Sequence, residues 1–110
     1  GIVNDLALAR EVLRRVVGAV PGYEVAWAAD DGDDAVEKTA ADRPDVVLMD
    51  LVMPRLNGVE ATRQIMQQSP CPVLVVTASV SANFPLVFQA LGAGAVDAVD
   101  TPTLGPSGTV

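Results

Sequence analysis

The sequence predicts an α/β domain, a five-stranded parallel sheet with helices on both faces. Three observations carry this. Short apolar runs recur along the chain at residues 2–3, 46–49 and 73–76, and a mostly apolar one, broken by Asp97, at 95–99. Between them lie stretches whose apolar residues repeat at helical spacing. Each run then stops at a polar residue: Asn4 and Asp5, Asp50, Thr77, and Asp100 with Thr101. In a parallel sheet those stops fall on one edge, where open α/β sheets bind ligands.

The central run organises the rest. Val46, Val47, Leu48 and Met49 lie between Pro44 and Pro54 and end at Asp50. An unbroken run of this kind is expected to be a strand buried on both faces. The bland reading of Asp50 is a solvated strand end; the other strand ends argue for more.

In chain order, Ile2 and Val3 form a first strand. Leu6, Ala9, Leu13, Val16, Val17 and Val20 make an apolar stripe on a helix that Pro21-Gly22 ends. Tyr23, Val25 and Trp27 alternate with Glu24, Ala26 and Ala28, which predicts an edge strand over 23–28. Asp30, Asp31, Asp33 and Asp34 surround Gly32 without the distal Glu of a calcium loop. One of them is expected to cap a second helix running to about Ala41, with the others favouring its positive end. After the central strand, Asn57-Gly58 opens a third helix carrying Val59, Thr62, Ile65 and Met66, which Ser69-Pro70 stops. Residues 73–76 give a fourth strand. Ser79 or Ser81 is expected to cap a fourth helix, with Pro85 in its first turn and Phe84, Val87, Phe88 and Leu91 as its apolar residues. A fifth strand spans 95–99. Residues 1–102 are read as one domain and 103–110, with two glycines, a proline and a serine, as the start of a linker or a truncated segment.

Composition excludes several functions. The net charge of −7 argues against nucleic acid as a partner. The absence of histidine removes His-based catalysis and His metal sites. Cys71 is alone between two prolines, with no disulfide or metal companion. No run of about 18 apolar residues is present to span a membrane, and a cytoplasmic location is expected.

The strand ends supply the chemistry. Carboxylates brought together at Asp5 and Asp50 repel unless a proton or a hard cation intervenes. Oxygen ligands without histidine point to Mg²⁺. A hydroxyl at Thr77 can donate to an anion held there. The set fits phosphoryl transfer to a carboxylate, with Asp50 as nucleophile.

These residues, in order, resemble the receiver domains of bacterial two-component response regulators. Asp5 falls in the acidic pair of that family, Asp50 at the phosphate-accepting aspartate, Met53-Pro54 and Gly58 in the loop after it, and Thr77-Ala78 at the switch hydroxyl. The runs Asp50-Leu51-Val52-Met53-Pro54, Gly58-Val59-Glu60-Ala61-Thr62 and Ser69-Pro70-Cys71-Pro72-Val73 are similar to the N-terminal regulatory domain of chemotaxis-type protein-glutamate methylesterase regulators. The resemblance implies a flavodoxin-like three-layer fold with strand order 2-1-3-4-5. It also implies a Val52 backbone carbonyl in the Mg²⁺ shell, a histidine kinase as phosphodonor, and a C-terminal methylesterase (hydrolase) domain in the parent chain. The fragment itself is regulatory.

Three positions depart from that pattern. Asn4 stands where the family has an acid, so it is expected to reach the metal weakly, through water. Thr101 stands at the usual lysine, and Ala98 where many members carry an aromatic. These departures keep a second reading open, a pseudo-receiver that binds protein without phosphorylation. A flavodoxin-like cofactor binder fits less well, because Asn4-Asp5-Leu6-Ala7 offers no phosphate cradle. The fifth helix of the family is missing from this sequence. The sheet face beside the first helix is therefore expected to be covered by a longer parent chain or by a partner chain, as in a dimer.

Overall fold

A computed structural model describes residues 1–102. Five parallel strands form one sheet of order β2-β1-β3-β4-β5, as expected: β1 (Ile2–Val3), β2 (Ala28–Ala29), β3 (Val47–Met49), β4 (Val73–Thr77) and β5 (Asp97–Asp100). Four helices connect them: α1 (Ala7–Gly18), α2 (Gly32–Ala41), α3 (Gly58–Gln68) and α4 (Phe84–Gly92). The expected linker and the expected lack of a fifth helix concern residues 103–110, outside those described.

The two sheet faces are covered unequally. Val3, Val47, Met49, Val73 and Val75 are buried on one face beneath Ala35 of α2, Ala61 and Ile65 of α3, and Val87 and Ala90 of α4. The opposite face carries Ile2, Leu48, Leu74 and Val76 and meets Leu13 of α1. Leu48 and Leu74 are only half-buried there, and an apolar groove runs past Ile2, Val16, Val17, Val46, Leu48 and Leu74. Residues 46–49 are therefore closed in on one face and only partly on the other, where the sequence suggested burial on both. Ala98 pairs with Val75 on the helix-covered face, so the partly open strip comes from the neighbouring strand and Val99.

Several elements differ from the sequence reading for identifiable reasons. The edge strand expected over 23–28 is reduced to Ala28–Ala29, because Ile2 pairs with Ala28 and no β1 residue lies opposite 23–26. Helix α1 starts after Leu6 and stops at Gly18; Leu6 and Val20 are exposed, and Val12 joins Leu13 as the buried pair. In α4 every face is apolar, so periodicity could not choose the inner one. Val87 and Ala90 are buried, while Phe84 and Phe88 meet on the outside as a tilted pair with ring centroids 6.1 Å apart. Its N-cap position is Asn83, without a side-chain cap, and Ser79 instead accepts the Ala82 N–H within the preceding turn. Strand β5 lies two residues later at its start than expected, from Asp97.

The other caps follow the sequence. Asp31 Oδ1 accepts the Asp34 N–H at 2.8 Å at the start of α2, with Asp33 and Asp34 in its first turn. Asn57 Oδ1 accepts the Glu60 N–H at 3.0 Å at the start of α3. Such caps are worth about 1 kcal/mol each. Lys38 is tied down: its ammonium donates to the Ala28 carbonyl at 2.6 Å and pairs with Asp34 at 2.9 Å.

Candidate functional site

The parallel register puts the strand ends on one rim. Val3 lies beside Met49, Met49 beside Val75, and Thr77 beside Asp100. The next residues, Asn4, Asp5, Asp50 and Thr101, therefore leave the sheet at the same edge as Thr77. Asp50 hangs from the sheet by its N–H, donated to the Val3 carbonyl at 2.9 Å.

Asp50 is half-buried, and one carboxylate oxygen accepts the Leu51 N–H at 2.8 Å. Burial pushes its carboxyl above the usual carboxylate range, and the charge of Asp5 adds to this. The N–H groups of Leu51 and Val52 and the hydroxyl of Thr77 act the other way, by hydrogen bonding to the ionised form. Asp5 is exposed, as is Val52 at the start of the following loop.

Thr77 is buried, and its Oγ1 accepts from the Asn83 side-chain amide at 3.2 Å. With that acceptor direction occupied, its O–H is left to donate toward the rim. Thr101 joins the site through its backbone, donating to the Thr77 carbonyl at 2.7 Å. Asn4 is buried; its Oδ1 accepts the Leu6 N–H at 2.9 Å and its carbonyl accepts from Arg10 at 2.7 Å. Thus Asp5, Asp50 and Thr77 come together, Val52 adjoins them, Thr101 abuts them, and Asn4 lies beneath with one lone pair in use.

The carboxylate pair fits a hard divalent cation, which would offset the burial and the Asp5 charge that together raise Asp50. Among the described residues no three His, Cys, Asp or Glu side chains gather to hold a metal. The remainder of a shell would be carbonyl oxygen and water. Mg²⁺ accepts such a shell, since it keeps several waters and uses one or two carboxylates.

Sequence reasoning missed three residues. Asn83 sets the Thr77 hydroxyl, and Asp100 accepts the Val80 N–H at 2.8 Å, bracing the turn before α4. Arg55 pairs with the buried Asp31. The Asn before Phe84 and the acid before Thr101 were visible, but nothing local assigned their partners.

A doubly wound parallel sheet of this strand order, with an acidic rim, is a flavodoxin-like build. Residues 1–104 match the response regulator receiver domain family, and the chain belongs to it. The chain is 60% identical over 109 residues to a protein-glutamate methylesterase/protein-glutamine glutaminase of Burkholderia thailandensis, covering 99% of this chain and 32% of that protein. It thus spans about a third of the length of that relative. In structure it is similar to the response regulator domain of Thermotoga maritima CheB, with TM-score 0.86 and 39% identity over 92% of this chain and 75% of that one. It also resembles the CheX-CheY-BeF₃-Mg complex of Borrelia burgdorferi, with TM-score 0.81 and 26% identity over 93% of this chain and 76% of that one. Within the family, the chain is similar to the receivers of the protein-glutamate methylesterases. Among the described residues, no helix is long and apolar enough to cross a membrane.

Proposed function

We propose that residues 1–102 form a phospho-accepting receiver that acts in the cytoplasm in chemotaxis-like signalling. It takes a phosphoryl group on Asp50 from a histidine kinase and regulates a methylesterase domain in a longer parent chain, reached through a linker that starts near residue 103. The convergence of Asp5, Asp50 and Thr77 at one rim carries this reading. The relatives supply its output, since the protein of Burkholderia thailandensis is a protein-glutamate methylesterase.

In the transfer, a carboxylate oxygen of Asp50 bonds to phosphorus as the phosphorus–nitrogen bond to the donor imidazole breaks. The bonding pair stays with the imidazole nitrogen, which takes a proton from water. Asp50 is suited to this because burial makes its carboxylate more basic than a solvated one, while the Leu51 N–H holds one of its oxygens. Thr77 donates its hydroxyl to a phosphoryl oxygen, oriented by Asn83. Asp5, Asp50 and the Val52 carbonyl would hold Mg²⁺, with Asn4 reaching it through water. When bound, the ion neutralises charge on the phosphoryl oxygens. The structural relative from Borrelia burgdorferi, a complex with beryllofluoride and magnesium, supports that assignment. Thr101 cannot supply the positive charge of a lysine, which weakens the link from Asp50 to shape change.

Acetyl phosphate with Mg²⁺ tests the proposal. The expected result is one added phosphoryl group, mapped by mass spectrometry to Asp50 and lost in Asp50→Asn. Wild type that stays unmodified, or Asp50→Asn that is still modified, overturns it.

A further inference from the structure

The loop over residues 50–57 joins β3 to α3 and carries Val52. Its first half is anchored by side chains, since Leu51 and Met53 are buried in the core. Val52 points outward, 59% exposed, with its backbone beside Asp50. The second half of the loop has a different anchor. Arg55 is the one non-glycine residue with positive φ among those described, at 61°. A residue with a long side chain rarely adopts that conformation unless something holds it there. Here the holder is Asp31, with which the Arg55 guanidinium pairs.

Asp31 is 3% exposed at its side chain and serves two partners. Oδ1 caps α2 by accepting the Asp34 N–H, and Oδ2 takes Arg55. Beside this pair, the Gly32 N–H donates to the Leu56 carbonyl at 3.1 Å. A Cβ at residue 32 would strike that same carbonyl. The N-terminus of α2 therefore grips residues 55 and 56 by a charge pair and a backbone bond. Val52 lies between the two core anchors, and this grip holds the loop just beyond the second of them.

We propose that Arg55 and Asp31 are positioning residues, which hold the loop so that the Val52 backbone stays aimed at the Asp50 rim. The inference rests on the phospho-receiver reading and deepens it. Neither residue touches the reacting atoms. Loss of the pair leaves Asp31 buried without its cation and frees the left-handed turn at Arg55 to relax. Val52 N–H and C=O then move together, one away from the carboxylate and the other away from the cation position.

The test uses amide-shift titration of Mg²⁺ around Asp5 and Asp50, with acetyl phosphate labelling and thermal melts on the same samples. Asp31→Asn keeps the helix cap, because asparagine caps as well as aspartate, and replaces the charged oxygen that faces Arg55 with an amide donor, which breaks the pair. Arg55→Ala and Asp31→Asn are each expected to weaken Mg²⁺ binding about tenfold and to slow labelling, as loss of outer-shell support does. The double variant should be no weaker than either single, since the two act as one unit. Arg55→Lys should recover most of the affinity. The positioning role is overturned if both single variants bind Mg²⁺ as wild type does, whatever happens to their melting temperatures. It is equally overturned if the two effects simply add. Wild type that neither binds Mg²⁺ at the rim nor accepts phosphate would overturn the receiver reading instead.

Discussion

The side-chain oxygen of Asn4 accepts the Leu6 N–H at 2.9 Å, so the residue that ends β1 also fastens the chain as it turns into α1. Arg10 closes the same turn from the helix side, on the Asn4 carbonyl. An aspartate at this position keeps the acceptor and adds a charge at the rim. Asn4→Asp is expected to tighten Mg²⁺ binding about tenfold, or ~1.4 kcal/mol. Amide-shift titration of both proteins checks it, and equal affinities would show that the charge at residue 4 does not reach the cation.

Asp50 should lower the stability of the metal-free protein at neutral pH. Its carboxyl is raised by burial and by Asp5, so the folded state binds its proton more tightly than the unfolded chain does. Stability from this group is present below the ordinary carboxylate value and is lost as pH climbs to the raised one. In chelator at pH 7, Asp50→Asn should therefore melt a few degrees above wild type. The gap should close as pH falls into the ordinary carboxylate range. Added Mg²⁺ should stabilise wild type and leave the variant unmoved. Melts across pH, with and without Mg²⁺, would reveal the opposite order if the buried charge were fully compensated.

Thr101 meets the site only by its backbone, and Arg55 is engaged by Asp31, so neither is placed to replace a lysine at the phosphoryl group. Thr101→Lys would add a charge-assisted hydrogen bond of about 1.5–3 kcal/mol to the phosphorylated state. It should enlarge the amide-shift change that beryllofluoride produces around Thr77 and α4. An unchanged response would mean that some other group already makes that bond.

Gly58 starts α3 where the helix backs onto the end of β3. Its N–H donates to the Leu51 carbonyl, and a Cβ there would run into the Asp50 carbonyl oxygen, which is backbone and cannot swing aside. Gly58→Ala should cost about 3 kcal/mol or more by overpacking and should displace Asp50. Urea denaturation measures the first effect and the rate of acetyl phosphate labelling the second.

The sheet order and the rim were legible because they rest on long-range regularities. β3 and the first four residues of β4 lie within unbroken apolar runs, and each run is followed by a polar side chain. A cap among Asp30, Asp31, Asp33 and Asp34 and a helix start at Asn57 were legible because the signal is local. Helix α4 was not, since a helix apolar on every side has no face for periodicity to find. The 23–28 strand failed for the opposite reason. Its alternation is real, but a strand exists only where a neighbour offers partners, and β1 gives it two. The Asp31–Arg55 pair spans two loops and left no mark in either one. Only the positive φ of Arg55, visible once folded, pointed to it.

The two-residue ladder of β2 gives the sheet an uneven clock. Residues 23–26 have no strand beside them, so their amides should trade hydrogen for deuterium through local opening, within the earliest time points of an exchange experiment. Val47, Met49 and Val75, buried mid-sheet, should exchange only when the whole domain opens. Amides at the rim, around Asp50 and Thr77, are tied to the slow side of this division through β3 and β4. The carboxylate that would receive phosphate is thus carried by the last part of the molecule to come apart, while the part that loosens first lies at the far edge of the sheet.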